Sequence, residues 1–262
     1  MCLLTSVAEQ IRQDLGRDEV RVAILGERAV WADPLVTAAQ RNLPRLGMEI
    51  VGTWRPSATT GDLTAELTAI GRAEADIILT VLSGPVGIVL GQQLGERNIA
   101  AVPIGINVEA QQSGYWEATD GQANYLATTV NYARVATTEL TLPFVEAFEE
   151  RFGEFPTYTA ATYDAINVLR QSLETTQSLD IDELVAYLEE TTFTIAAGRL
   201  KFDEQHNPTW GPGLVTGAVV QWQDGEPVPF WPNGWRGVSY EGMQPFLFPS
   251  AMAEEQEAAN HR

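Results

Sequence analysis

Between Val20 and Ile106 the chain alternates buried-strand runs with amphipathic helix patterns, and this alternation constrains the fold more than any other feature. Val20 to Leu25 (Val-Arg-Val-Ala-Ile-Leu) reads as a buried strand. Asp33-Pro34 follows as an N-cap with proline at the first helical position, and Leu35, Ala39 and Leu43 recur at helical spacing until Pro44 and Gly47 close the element. Met48 to Trp54 is the next strand, and Asp62 caps a helix carrying Leu63, Leu67 and Ile70. Asp76 to Leu82 is apolar almost throughout, as a parallel strand covered on both faces must be. Ser83-Gly84-Pro85 turns the chain into a helix with Val86, Val89, Leu90 and Leu94, and Ala101 to Ile106 is the fourth strand. Strand–helix repeats with links of this length predict an α/β fold, a parallel sheet with helices on both faces.

The flanking sequence is patterned differently. Ala8 to Leu15 predicts a short helix ended by Gly16. Asn107 to Asp120 reads as a polar loop containing Tyr115-Trp116, and Asn124 to Val130 as a strand. Phe144, Phe148 and Phe152 mark a helix ended by Gly153; Pro156 opens a longer one through Tyr163, Ile166 and Leu169; Asp182 caps a third with Leu184, Val185 and Leu188. Arg199 to Phe202 and Leu214 to Gln223 are β-like, with Asp224-Gly225 as a hairpin turn. From Pro227 to Trp235 prolines and tryptophans replace the alternation, and Trp210, Trp222, Trp231 and Trp235 are expected in core and lobe packing. Residues 251–262 are acidic and small, and are expected to be a disordered tail.

Composition excludes several classes of function. The 262 residues carry 35 acidic and 16 basic side chains, a formal charge of −19, and every cation but Lys201 is arginine. Such a surface repels phosphate backbones and anionic lipid, so nucleic acid is not an expected partner. One cysteine (Cys2) and two histidines (His206 and His261) cannot build an internal disulfide, a cysteine zinc site or a multi-histidine metal centre. No stretch reaches the roughly 18 apolar residues of a membrane span. Met1 to Val7 lacks the basic start and apolar core of a signal peptide. Taken literally that means a cytoplasmic protein, although the loss of an upstream segment reads the same way.

Catalytic constellations are not legible. His206 lies in a turn-rich stretch and reads as an exposed loop histidine, and Cys2 has no cationic neighbour in sequence to activate it. No phosphate-binding loop occurs. Gly84-Pro85-Val86-Gly87 follows a strand and opens a helix, so it is either a tight packing turn or a place for a small ligand's polar group near Ser83 and the free amides. Glu109, three residues beyond a strand's carboxyl end, is either a receptor for a ligand's ammonium or a surface charge. Trp31, after the first strand, and Tyr158, after Pro156, are each either a cleft wall or a packing residue. The pairs Glu149-Glu150, Glu189-Glu190 and Glu254-Glu255 read as solvated faces or tails.

Three ordered stretches carry a resemblance. They are Pro103 to Gln111 followed by Tyr115-Trp116-Glu117-Ala118-Thr119; Phe152 to Ala165; and Gly198 to Asp203 continued by Trp210 to Gly217 and Val220 to Gly225. Together they resemble the Leu/Ile/Val-type periplasmic solute-binding proteins of ABC importers, the type I binding-protein fold. The resemblance implies two Rossmann-like lobes with a small ligand clamped between them and delivered to an inner-membrane ABC permease, with no chemistry, cofactor or metal. Transferred by position, it implies ligand-binding roles for Trp31, Ser83, Gly84, Asn107, Glu109 and Tyr158, with an amino acid or small amide as ligand. It divides the chain into a hinge or entry helix (1–19), a complete second lobe (20–131), and returning helices of the first lobe with a β-rich hinge segment (132–250). Most of the first lobe has no counterpart here, so the expectation is an N-terminally truncated binding protein that binds ligand weakly or not at all by itself. The intact protein is expected to be periplasmic. The alternative is a small-molecule-sensing regulatory domain of the same fold acting through a protein partner, with an enzyme ranked third.

Overall fold

The computed structural model describes residues 1–252 and 254. In chain order the elements are α1 (Cys2–Asp14), β1 (Val20–Gly26), α2 (Ala32–Asn42), β2 (Met48–Trp54), α3 (Thr64–Arg72), β3 (Ile77–Leu82), α4 (Val86–Arg97), β4 (Val102–Asn107), α5 (Tyr115–Ala118), β5 (Ala127–Val130), α6 (Thr141–Phe152), α7 (Ala161–Thr176), α8 (Ile181–Glu190), β6 (Phe193–Ile195), β7 (Gly198–Leu200), β8 (Ala218–Gln223) and β9 (Glu226–Trp231). A seven-stranded sheet has the order β2-β1-β3-β4-β5-β8-β9, and β6 and β7 form a separate antiparallel pair. The pairings from β2 through β5 are parallel, as the strand–helix repeats predict.

The chain divides into two compact units. The first comprises Met1–Thr129, Val220–Val228 and the segment from Pro245. Its core stacks Ala23, Leu25, Ile78 and Leu82 of the sheet against Leu67, Ile70, Val86 and Leu90 of the helices, with Trp222 and Tyr115 completing it. The second comprises Val130–Val219 and Pro229–Gln244. It packs Tyr132, Phe144, Val145, Ala160 and Ala196 in one cluster, and Val168, Phe193 and Ile195 in another.

Several local expectations change. The first helix begins at Cys2 rather than Ala8, and buries Leu4, Val7, Ala8 and Ile11 at helical spacing. Asp33 does not cap α2: the Ala32 and Asp33 amides already donate to Ala29 O, while Asp33 Oδ1 accepts from Arg55 Nη2 at 2.6 Å. The buried stripe of that helix is Ala32, Val36 and Ala39, and Leu35 faces outward. The segment expected as a polar loop contains α5, whose Tyr115 is 1% exposed. Pro227 and Pro229 lie inside a strand after all, because β9 is the last strand of the sheet, where a missing ladder donor is tolerated. Asp224 and Gly225 do make the turn into it, both at positive φ.

In the second unit, Tyr163, Ile166 and Leu169 stand on the exposed side of α7, which turns Asp164, Val168 and Ser172 inward. Trp222 and Trp231 are buried as expected, whereas Trp210 is exposed. At the end of the described chain Ala251 and Met252 are helical and buried, so the expected disordered tail does not begin at 251; apart from Glu254, its remainder lies outside the described residues.

Candidate functional site at the carboxyl edge of the parallel sheet

Parallel strands end their carbonyl-terminal runs on one edge, and the loops that leave that edge are where open α/β sheets bind ligands. β1 ends at Gly26, so the next residue, Glu27, emerges there; β3 ends at Leu82, so Ser83 and Gly84 do the same. β1 and β3 are direct neighbours, with Gly26 in register with Val81, and the Glu27 amide donates to Val81 O at 3.0 Å.

That register brings Glu27, Trp31, Ser83 and Gly84 together. Glu27 Oε1 accepts from Ser83 Oγ at 2.6 Å and from Trp31 Nε1 at 2.8 Å. Glu27 Oε2 accepts from the Ser83 amide at 2.8 Å and the Gly84 amide at 3.0 Å. Glu27 is 1% exposed, while Ser83 and Trp31 reach the surface. Burial pushes the Glu27 carboxyl up, but the hydrogen bonds from Ser83, Trp31 and Gly84 outweigh it and hold it below the usual carboxylate range. An ionised, fully hydrogen-bonded carboxylate therefore sits beneath this edge.

The backbone behind the cluster is clamped by the residue that follows β2. Arg55 Nε donates to Gly26 O and Arg55 Nη2 to Glu27 O, each at 2.8 Å. Gly84 fits closely over Ala58, whose carbonyl would lie 2.5 Å from any Cβ at that position and accepts from the Val86 amide at 3.0 Å.

Asn107 ends β4, and Glu109 lies in the loop that follows. Asn107 is fully buried: its Nδ2 donates to Gly87 O and Tyr115 Oη, both at 3.1 Å, and Tyr115 Oη donates to Gly87 O at 2.7 Å. Burial drives the Tyr115 phenol far above its ordinary range, so it stays a neutral donor. The Asn107 side chain thus ties the loop to α4 from inside the unit. Glu109 opens a 3-10 turn and is half-buried. Tyr158 is in the second unit, in a 3-10 turn before α7, and is half exposed.

Of the residues singled out from the sequence, the structure brings Trp31, Ser83 and Gly84 together. The residue that joins them, Glu27, went unnoticed. Its signal was present: an acid directly following a buried strand, four residues before a tryptophan. His206 is exposed as expected and pairs with Glu189 at 2.7 Å. Among the described residues no three His, Cys, Asp or Glu side chains converge to hold a metal, and no helix is long and apolar enough to cross a membrane.

A family model described as "Periplasmic binding protein" matches residues 2–226. The chain belongs to the periplasmic binding protein family. Its solved relatives share the type I fold at low identity. A leucine-binding protein from Thermotoga maritima is 19% identical with a TM-score of 0.71, covering 86% of this chain and 63% of its own. A branched-chain amino acid ABC transporter protein from Silicibacter pomeroyi is 12% identical with a TM-score of 0.76, covering 94% and 67%. A solute-binding protein from Rhodopseudomonas palustris, solved with benzoate, is 16% identical with a TM-score of 0.67, covering 93% and 65%. The chain therefore spans about two thirds of the length of these proteins. No curated protein matches it.

Proposed function

We propose that this chain is part of a solute-binding subunit of an ABC importer, that it takes an amino acid or a related small amide, and that it hands this ligand to an inner-membrane permease from outside the cytoplasm. The observation that carries this reading is the convergence of Trp31, Ser83 and Gly84 at the carboxyl edge of a parallel sheet, in a chain of the periplasmic binding protein family. Trp31 offers an indole face, Ser83 a hydroxyl, and Glu109 a carboxylate from the next loop. Asn107 supports the loop from within. Tyr158 enters on the resemblance alone. The relatives named for leucine and for branched-chain amino acids support an amino acid, and the benzoate complex supports a site that tolerates other small molecules with an apolar body.

The test is calorimetric titration of the complete gene product with leucine, isoleucine, valine, acetamide, urea and benzoate. Heat from at least one of them, lost on Trp31→Ala, is the expected result. Silence across the whole panel overturns the reading. Genes for a permease and an ATPase beside this one would support transport over a sensory role.

A further inference from the structure

A carboxylate offers about four acceptor positions, two on each oxygen. In Glu27 all four are used, by Ser83 Oγ, Trp31 Nε1 and the Ser83 and Gly84 amides, at 2.6 to 3.0 Å. Two consecutive backbone amides, a hydroxyl and an indole N–H aimed at one point form a carboxylate receptor. Here the receptor is filled by the chain's own side chain, which is 1% exposed and whose backbone is held by Arg55.

We propose that Glu27 is a positioning residue that permanently occupies this four-donor receptor, and so closes the edge to a ligand's carboxylate. Two effects act together. Every donor that would greet an incoming carboxylate is already engaged, and the buried negative charge beside them repels a second anion. Whatever meets Trp31 and Ser83 does so through a group that is not an anion. The consequence for ligand choice rests on the binding role proposed above; the filled receptor itself does not.

The chemistry of substitution makes this testable. In Glu27→Gln the side-chain oxygen can still accept from the Ser83 and Gly84 amides, and the new amide group can donate to Ser83 Oγ. It cannot accept from Trp31, so the indole N–H alone loses its partner. Glu27→Ala removes the occupant and leaves four donors facing a space that a small carboxylate fills.

Both variants and the wild type are compared as 15N-labelled protein, with the Trp31 indole signal assigned by its loss in Trp31→Phe. In Glu27→Gln the Trp31 indole N–H moves and exchanges faster with solvent, while the Ser83 and Gly84 amides stay protected. Sodium acetate, against sodium chloride at equal ionic strength, leaves the wild type unmoved. In Glu27→Ala it shifts the Ser83, Gly84 and Trp31 signals saturably, with affinity at least about tenfold above wild type, roughly 1.4 kcal/mol. An equal acetate response in wild type and Glu27→Ala overturns the proposal, as does an unmoved Trp31 indole in Glu27→Gln. Should Glu27→Ala fail to fold, the Glu27→Gln result decides. Failure of the transport reading would show separately, as silence in the ligand titrations with the acetate result intact.

Discussion

Gly87 and Asn107 are fitted to each other. Asn107 Nδ2 donates to Gly87 O at 3.1 Å, and Asn107 Oδ1 fills the space that a Cβ on Gly87 would need. The first turn of α4 and the end of β4 can approach this closely only because residue 87 has no side chain. Gly91, one turn further on, admits the Tyr115 hydroxyl in the same way.

Gly87→Ala is therefore expected to destabilise the protein although alanine is the better helix former. Overpacking against a buried amide costs about 1–3 kcal/mol, more than the helix-propensity gain of up to about 1 kcal/mol. Urea unfolding of the two proteins checks this; equal midpoints would refute it.

Acid should weaken the Glu27 cluster with a definite sign. The folded-state pKa of Glu27 lies below its ordinary value, so its contribution is complete above the ordinary carboxylate range and is lost as pH falls through the folded value. Arg55 and its ion-pair partner Asp33 lie beside it. We expect the stability gap between wild type and Glu27→Gln to be constant from neutral pH to about pH 5 and to close at lower pH. Chemical denaturation at a series of pH values reads it directly.

A second buried carboxylate organises the other unit. Asp164 Oδ1 accepts from the Ala196 amide at 2.8 Å, and Oδ2 accepts from the Ala197 amide and Tyr132 Oη, both at 3.0 Å. Burial, and then the Asp164 charge, push the Tyr132 phenol up, so it remains a donor. Asp164→Ala strands three donors and should cost about 3 kcal/mol, whereas Tyr132→Phe removes one donor with its partner otherwise satisfied and should cost about 1 kcal/mol. Thermal unfolding of both variants tests the ordering, which a larger loss from Tyr132→Phe would reverse.

Exposed positions on α7 and the buried Phe193 of β6, which packs against that helix, should respond by very different amounts. Ile166→Ser and Leu169→Ser change side chains that are 61% and 50% exposed, and are expected to shift stability by no more than about 0.5 kcal/mol. Phe193→Ala, at a position 1% exposed and packed against Val168, should cost about 3–5 kcal/mol. Denaturant midpoints for the three variants separate the two classes.

How much was legible follows from the range of the forces involved. Hydrophobic periodicity is local, so Met48–Trp54 was delimited to the residue and the bounds of β1, β3 and β4 came through within one residue. Leu35 was misplaced because Val36 beside it satisfies the helical spacing equally well, and only the position of the sheet decides which one faces inward. Likewise, the pattern that placed Ile166 and Leu169 in a helix did not say which side of it would be buried. Trp31, Ser83 and Gly84 could be named because they follow strand ends, an address visible in one dimension.

By itself the sequence determined the class of fold: repeated strand and helix patterns admit few layouts, and −19 charges with one cysteine and two histidines remove whole categories of chemistry. Only the tertiary structure decided which charges are buried. Among the described residues the buried carboxylates are Glu27, Asp76 and Asp164. Composition did not mark them out among 35 acidic residues. A buried carboxylate survives only where donors converge on it, and for Glu27 those donors come from residues 4, 56 and 57 positions away. That convergence exists only once β1 and β3 lie side by side.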